Sequence, residues 1–195
     1  MELDRDTREV IAWLDRALAD SGLTQAEFAT ALGTSPSRFS TYRSGKTKPT
    51  AAFCFRARRI SEGLAAARRA RVMSAPATAK IIRDTDDEDW AWRMLFQGRD
   101  HLHMLLEDDD AALSSWEAAP PTTGSAGFDT LLAVLARREF SEAGRKPPAW
   151  CRPRRLPEPW TPAHPFLTRE QVIAKTPKFL KELNVFIPAR DLVTA

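Results

Sequence analysis

The chain has 195 residues, 43% of them hydrophobic and 28% charged, enough to bury a real core as one domain or two. Its net charge is only +3, no apolar run approaches the ~20 residues of a membrane span, and the acidic start MELDRD does not read as a signal peptide. Cys54 and Cys151, far apart and without CxxC spacing, fit a reduced intracellular compartment in which both thiols are structural.

In chain order, Arg5 to Ala19 reads as a first helix with Val10, Trp13, Leu14, Ala17 and Leu18 as its apolar stripe. Thr24 and Glu27 form a T-x-x-E capping box, in which hydroxyl and carboxylate satisfy free amides at a helix start. Gln25 to Leu32 follows as a helix with Phe28, Ala31 and Leu32 inward, and Ala29 is small where a second helix must cross closely. Gly33 can take the positive φ that ends it. Ser35 caps the next helix, with Pro36 in the first turn, where a missing amide costs nothing. Phe39 and Tyr42 face inward, Ser37, Arg38 and Thr41 stay outside, and Gly45 stops the helix. Thr50 caps a helix towards Ile60, with Phe53 and Ile60 inward, and another turn or two continues through Leu64 to about Val72. Residues 23–49 thus have the pattern of a helix-turn-helix, a unit whose second helix is shaped for a DNA major groove.

Residues 74–85, opening SAPATAK, read as a linker: small residues, one proline, no aromatic. The acidic cluster Asp84 and Asp86 to Asp89 reads as a helix start, since it sits at the positive end of the helix it precedes. Asp87 to Leu106 then carries Trp90, Met94, Leu95, His101, Leu102 and Leu105 in a broad stripe. A short helix around Asp110 to Ala118 carries Leu113 and Trp116, PPTTGSAG is a loop, and Phe128 to Ala143 reads as an amphipathic helix ended by Gly144. Residues 145–168 hold seven prolines and two tryptophans, too many prolines for regular structure and too aromatic for a free tail. The expectation there is an extended belt over the core, anchored by Trp150, Trp160 and Phe166. Thr168 and Thr176-Pro177 each start a short helix, and Val185-Phe186-Ile187 reads as a small strand. The expected class is mainly all-α, with domains at 1–73 and 86–195.

The run from Gln25 to Gly45 resembles the Cro/cI-type (XRE-like) helix-turn-helix family, whose pattern is Q-x-x-x-A-x-x-x-G-x-S-x-x-x-(I/F)-S-x-(W/Y)-x-x-G. Gln25, Ala29, Gly33, Ser35, Phe39, Ser40, Tyr42 and Gly45 hold those places. The resemblance covers roughly residues 5–72 and implies a lambda-repressor-like bundle of about five helices, with Gln25 as a DNA phosphate contact. Arg43 stands where the family often carries an acidic residue. A looser run that includes Trp116, Phe128, Trp150, Thr176, Phe179 and Phe186 resembles the C-terminal portion of helix-turn-helix proteins common in actinobacteria. Some small regulators of that kind look like antitoxins, and the resemblance implies a dimerising or partner-binding role for the mostly helical C-terminal domain.

Charge placement points to a polyanion independently. Residues 38–71 hold Arg38, Arg43, Lys46, Lys48, Arg56, Arg58, Arg59, Arg68, Arg69 and Arg71 against the single acid Glu62. Ser37, Arg38 and Thr41 are the candidates for base edges; Arg38 is the side chain able to grip a guanine bidentately, and Pro36 offers an apolar contact. Ser35, Arg43, Lys46, Thr47 and Lys48 are placed for phosphates, which set register without reading sequence.

Catalytic readings fare worse. His101 and His103 lie two apart on a helix and point to nearly opposite faces, so they cannot chelate one ion together. His164 has no neighbouring nucleophile, Cys54 lies among phenylalanines, and the run Asp108 to Asp110 has no EF-hand spacing. There is no glycine-rich phosphate loop, no G-x-S-x-G and no zinc spacing. The expectation is no enzyme, metal or cofactor, but a cytoplasmic, nucleoid-associated regulator of double-stranded DNA, a repressor acting as a homodimer. The alternative is an antitoxin that controls its own promoter and neutralises a toxin through its C-terminal region.

Overall fold

The computed structural model describes residues 3–108, 110–162 and 166–192. Helix α1 (Arg5–Ser21) starts at Asp4, whose carboxylate accepts the Thr7 amide, and ends at Gly22 with φ 67. Helix α2 (Gln25–Ala31) carries the Thr24–Glu27 capping box in full. Helix α3 (Pro36–Arg43) is capped by Ser35, whose hydroxyl accepts the Arg38 amide. Gly33 and Gly45, at φ 68 and 71, take the left-handed conformation that closes α2 and α3. Helix α4 (Ala51–Ala70) starts at Thr50 and runs unbroken. Four α-helices therefore lie within residues 5–73, not the five expected.

The linker reading of 74–85 is corrected: Ala75–Arg83 is helix α5, capped by Ser74, with Pro76 in its first turn and Ala75, Pro76, Thr78, Ala79 and Ile82 buried. Its small residues let it lie close against helix α6 (Glu88–Glu107), where a Cβ at Gly98 would stand 2.5 Å from Thr78 Oγ1. The acidic cluster does start α6, with the Asp87 carboxylate accepting the Trp90 amide. Trp90 itself is 44% exposed and lies outside the core, where Phe96 is buried instead. A 3-10 helix (Ala111–Trp116) begins at Asp110; Asp109 lies outside the described residues.

Helix α7 (Ala126–Glu142) buries Leu131, Leu132, Leu135 and Phe140 and exposes Arg137, Arg138, Ser141 and Glu142, as an amphipathic helix does, but from Thr130 to Ala136 it is buried without a break, because the belt covers the side that would face water. Phe128 meets Trp160 of the belt edge-on at 5.3 Å, and the Trp150 indole N–H donates to Trp116 O at 2.9 Å. The third expected anchor, Phe166, is 84% exposed. A 3-10 turn at Ala149–Cys151, helices α8 (Arg169–Lys175) and α9 (Lys178–Lys181), and a 3-10 turn at Ala189–Leu192 complete the described chain. In place of the small strand expected at 185–187 there is one isolated parallel bridge, Val185 to Trp160. The fold is all-α, and among the described residues no helix is long and apolar enough to cross a membrane.

Two apolar cores meet along α4. One gathers Leu14, Phe28, Leu32, Phe39, Tyr42, Phe53 and Ile60; the other gathers Ala67, Leu95, Leu102, Trp116, Leu131 and Leu135. They are stitched together in both directions. Ala118, beyond the 3-10 helix, sits fully buried in the first core, and the Ala119 amide donates to Ala31 O at 3.0 Å. Trp116 is fully buried and its indole N–H donates to Met73 O at 2.8 Å. The 3-10 helix packs so tightly on α4 that a Cβ at Gly63 would stand 2.6 Å from the Ser115 backbone nitrogen.

Candidate nucleic-acid interface

Helix α3 is held from beneath by aromatic contacts. Phe39 meets Phe28 edge-on at 5.6 Å, and Tyr42 packs on Phe53 at 4.9 Å. With those two residues buried, Pro36, Ser37, Arg38 and Ser40 are the exposed residues of α3. Arg38 does not wave freely. Its Nε donates to Tyr42 Oη at 2.8 Å and its guanidinium lies 5.9 Å from the Tyr42 ring centre. That arrangement fixes the side chain while its two terminal nitrogens remain for a partner. Thr41 is half-buried, and its hydroxyl donates to Arg38 O at 2.8 Å, which ties it to the helix backbone.

The phosphate candidates divide. Lys46 and Thr47 are exposed in the loop after α3, and the Thr47 amide donates to Thr41 O at 3.1 Å, which shapes that loop. Lys48 reaches Asp4 at 3.3 Å, joining the loop to the α1 cap. The Asp4 carboxyl is lowered to about 2, chiefly by the Thr7 amide, then by the Thr7 hydroxyl and Lys48. Ser35 is exposed and its hydroxyl serves the cap. Arg43 is committed elsewhere: Nε donates to Asp15 Oδ1 at 2.6 Å and Nη1 donates to Gln25 Oε1. Gln25 and Arg43, both read as phosphate contacts, thus join α1, α2 and α3 to one another. The Glu27 carboxyl is lowered, mainly by the Thr24 amide it caps.

The basic block is less available than its count suggests. Arg58 pairs with Glu62 at 2.8 Å, one turn away on α4. Arg59 grips Glu117 with two nitrogens, the shorter contact at 2.7 Å. Arg68 donates to the Ser21 and Asp20 carbonyls, satisfying the end of α1. Arg59 and Arg68 thus tie α4 to other elements, while Arg58 is paired along α4 itself. The pinning of Arg38 by Tyr42 and the Asp15–Arg43 pair were missed from the sequence. The first had a signal, an aromatic with a hydroxyl one turn from an arginine on α3.

Other candidates are structural. The His101 Nδ1 accepts the Met73 amide at 2.9 Å. His103 lies 2.9 Å from Glu139 and 3.5 Å from Glu107, and the hydrogen bond to Glu139 raises its pKa. Burial raises both thiols, that of Cys151 to about 12, so neither is a ready nucleophile. His164 lies outside the described residues. Among the described residues no three of His, Cys, Asp and Glu are grouped to hold a metal ion. Comparison with protein-family models, with curated proteins and with solved structures finds no match to this chain.

Proposed function

We propose that the chain is a sequence-specific binder of double-stranded DNA that reads the major groove with α3 and acts as a transcriptional repressor. The observation that carries this reading is the exposed face of Pro36, Ser37 and Arg38, with Arg38 pinned by Tyr42 on a buried aromatic base. A pinned arginine loses less side-chain freedom on binding, a cost otherwise of about 0.5–1.5 kcal/mol for a mobile one. Its terminal nitrogens match O6 and N7 of guanine. Ser37 and Pro36 lie beside it for a further polar contact and a thymine methyl. Lys46, Thr47, Lys48 and the Ser35 end of α3 then meet phosphates, which set register without reading sequence.

A homodimer belongs to the proposal. Two copies of α3 one helical turn apart, ~34 Å, demand a pseudo-palindromic site. Light scattering of the complex checks it: two chains per site is the expected result, and a 1:1 complex on an asymmetric site contradicts it. The reading itself is tested by selecting duplexes from a random library with the full chain. A defined motif is expected.

A further inference from the structure

Beside the α2–α3 turn lies an open groove of about 810 Å³ that no role so far assigned explains. One wall is Ala31, Leu32 and Gly33, two residues before the cap of α3, together with Arg56 of α4. Further lining comes from far downstream, from Lys146, Trp150 and Arg152 of the proline-rich belt. Arg56, Lys146 and Arg152 are exposed, and among the described residues none of the three pairs with a carboxylate. The acid at this groove, Glu117, is already neutralised by the two-nitrogen grip of Arg59. Leu113, Phe140 and Trp150 give the groove apolar lining, and Arg56, Lys146 and Arg152 give it a positive charge that Glu117 does not cancel.

A one-sign rim with no free acid favours an extended anion over a partner whose charges are mixed. It suits the sugar–phosphate backbone of a nucleic acid, whose phosphates meet the exposed Arg56, Lys146 and Arg152. The groove also opens next to the end of α3 that would enter DNA, since Gly33 and Ser35 are at most ~7 Å apart along the chain. We infer that this groove is a second phosphate-binding track, which holds the backbone of the same duplex where it runs beyond the base pairs met by α3. The inference rests on the proposed reading of the chain as a duplex-binding protein. It makes the belt part of the interface and gives the C-terminal half a direct role in affinity.

Equilibrium binding by the full chain tests it on two duplexes. One carries the selected motif alone, and the other adds about one helical turn of arbitrary sequence at each end. The wild-type chain is expected to gain roughly tenfold in affinity from the added flanks at low salt. Lys146→Ala with Arg152→Ala is expected to keep the short-duplex affinity, lose the flank gain, and flatten the log–log salt dependence on the long duplex by about 2. Arg56→Ala, on α4, is expected to flatten it by about 1. Both sets of side chains are exposed, and an unchanged melting temperature excludes misfolding as the cause. A double variant that keeps the flank gain and the salt dependence overturns the track and leaves the α3 reading intact. A wild-type chain that binds neither duplex overturns both.

Discussion

Two arginines one turn and a half apart illustrate why residue type alone does not assign a role. Arg38 and Arg43 both sit on α3, yet one is exposed and held at Nε by Tyr42 while the other is spent on Asp15 and Gln25. Arg38→Ala is expected to weaken specific binding by roughly 1–3 kcal/mol and to relax preference at one base position; equal loss on specific and random duplexes contradicts the assignment. Tyr42→Phe removes only the pin, so affinity falls by about 0.5–1.5 kcal/mol while the preferred base stays the same, as competition binding would read. Arg43→Ala acts on folding instead. Loss of about 1 kcal/mol is expected in denaturant melts, non-additive with Asp15→Ala because both remove one half-exposed pair. A flattened salt dependence with unchanged stability would return Arg43 to the phosphates. The inward and outward faces of α3 were legible from the spacing of Phe39 and Tyr42, whereas the fate of each cation depends on partners brought in by other helices.

Helix boundaries were legible where a side chain does the capping. Thr24, Ser35, Thr50, Asp87 and Thr168 each accept the amide expected of a cap, because capping is local chemistry. Helix α5 was not, since alanine, proline and threonine in a row describe either a linker or a helix pressed against a neighbour, and only Gly98 across the contact distinguishes them. Likewise the middle of α7, residues 130–136, shows no solvent face because the belt, which has no periodicity to read, covers it. Close approach also governs α4: at Gly63 an added methyl would meet backbone rather than a flexible tip. Gly63→Ala is therefore expected to destabilise by about 1–3 kcal/mol in thermal or denaturant melts, despite its better helix propensity. Between α6 and α7, His103 is held by Glu139, and its pKa is raised above the ordinary 6.5. A raised folded value means the stabilisation is complete below pH 6.5 and is lost as pH rises through that folded pKa. The melting-temperature gap between wild type and His103→Gln should therefore be widest near pH 6, roughly half a unit below the ordinary pKa, and close in alkali; a gap that does not change with pH contradicts the pairing.

At the scale of the whole molecule, the unit formed by α1 to α4 is not a detachable module. Ala118 fills the first core, the Ala31 carbonyl is bonded by the Ala119 amide, and Trp116 closes the far end of α4. A fragment of residues 1–73 leaves those positions open and is expected to lose cooperative melting. Trp116→Ala in the full chain is expected to cost about 3–5 kcal/mol. This interlock entangles structure with recognition, since variants that unfold the chain abolish binding whatever α3 does. The exposed residue Arg38 avoids that confusion. The most direct test is therefore selection from a random duplex library by the full wild-type chain and by Arg38→Ala, with melting temperatures measured alongside. The account predicts a defined motif for the wild type, loss of information at one guanine for the variant, and matching melting temperatures. No enriched motif at low salt, or an identical motif from both chains, would contradict it.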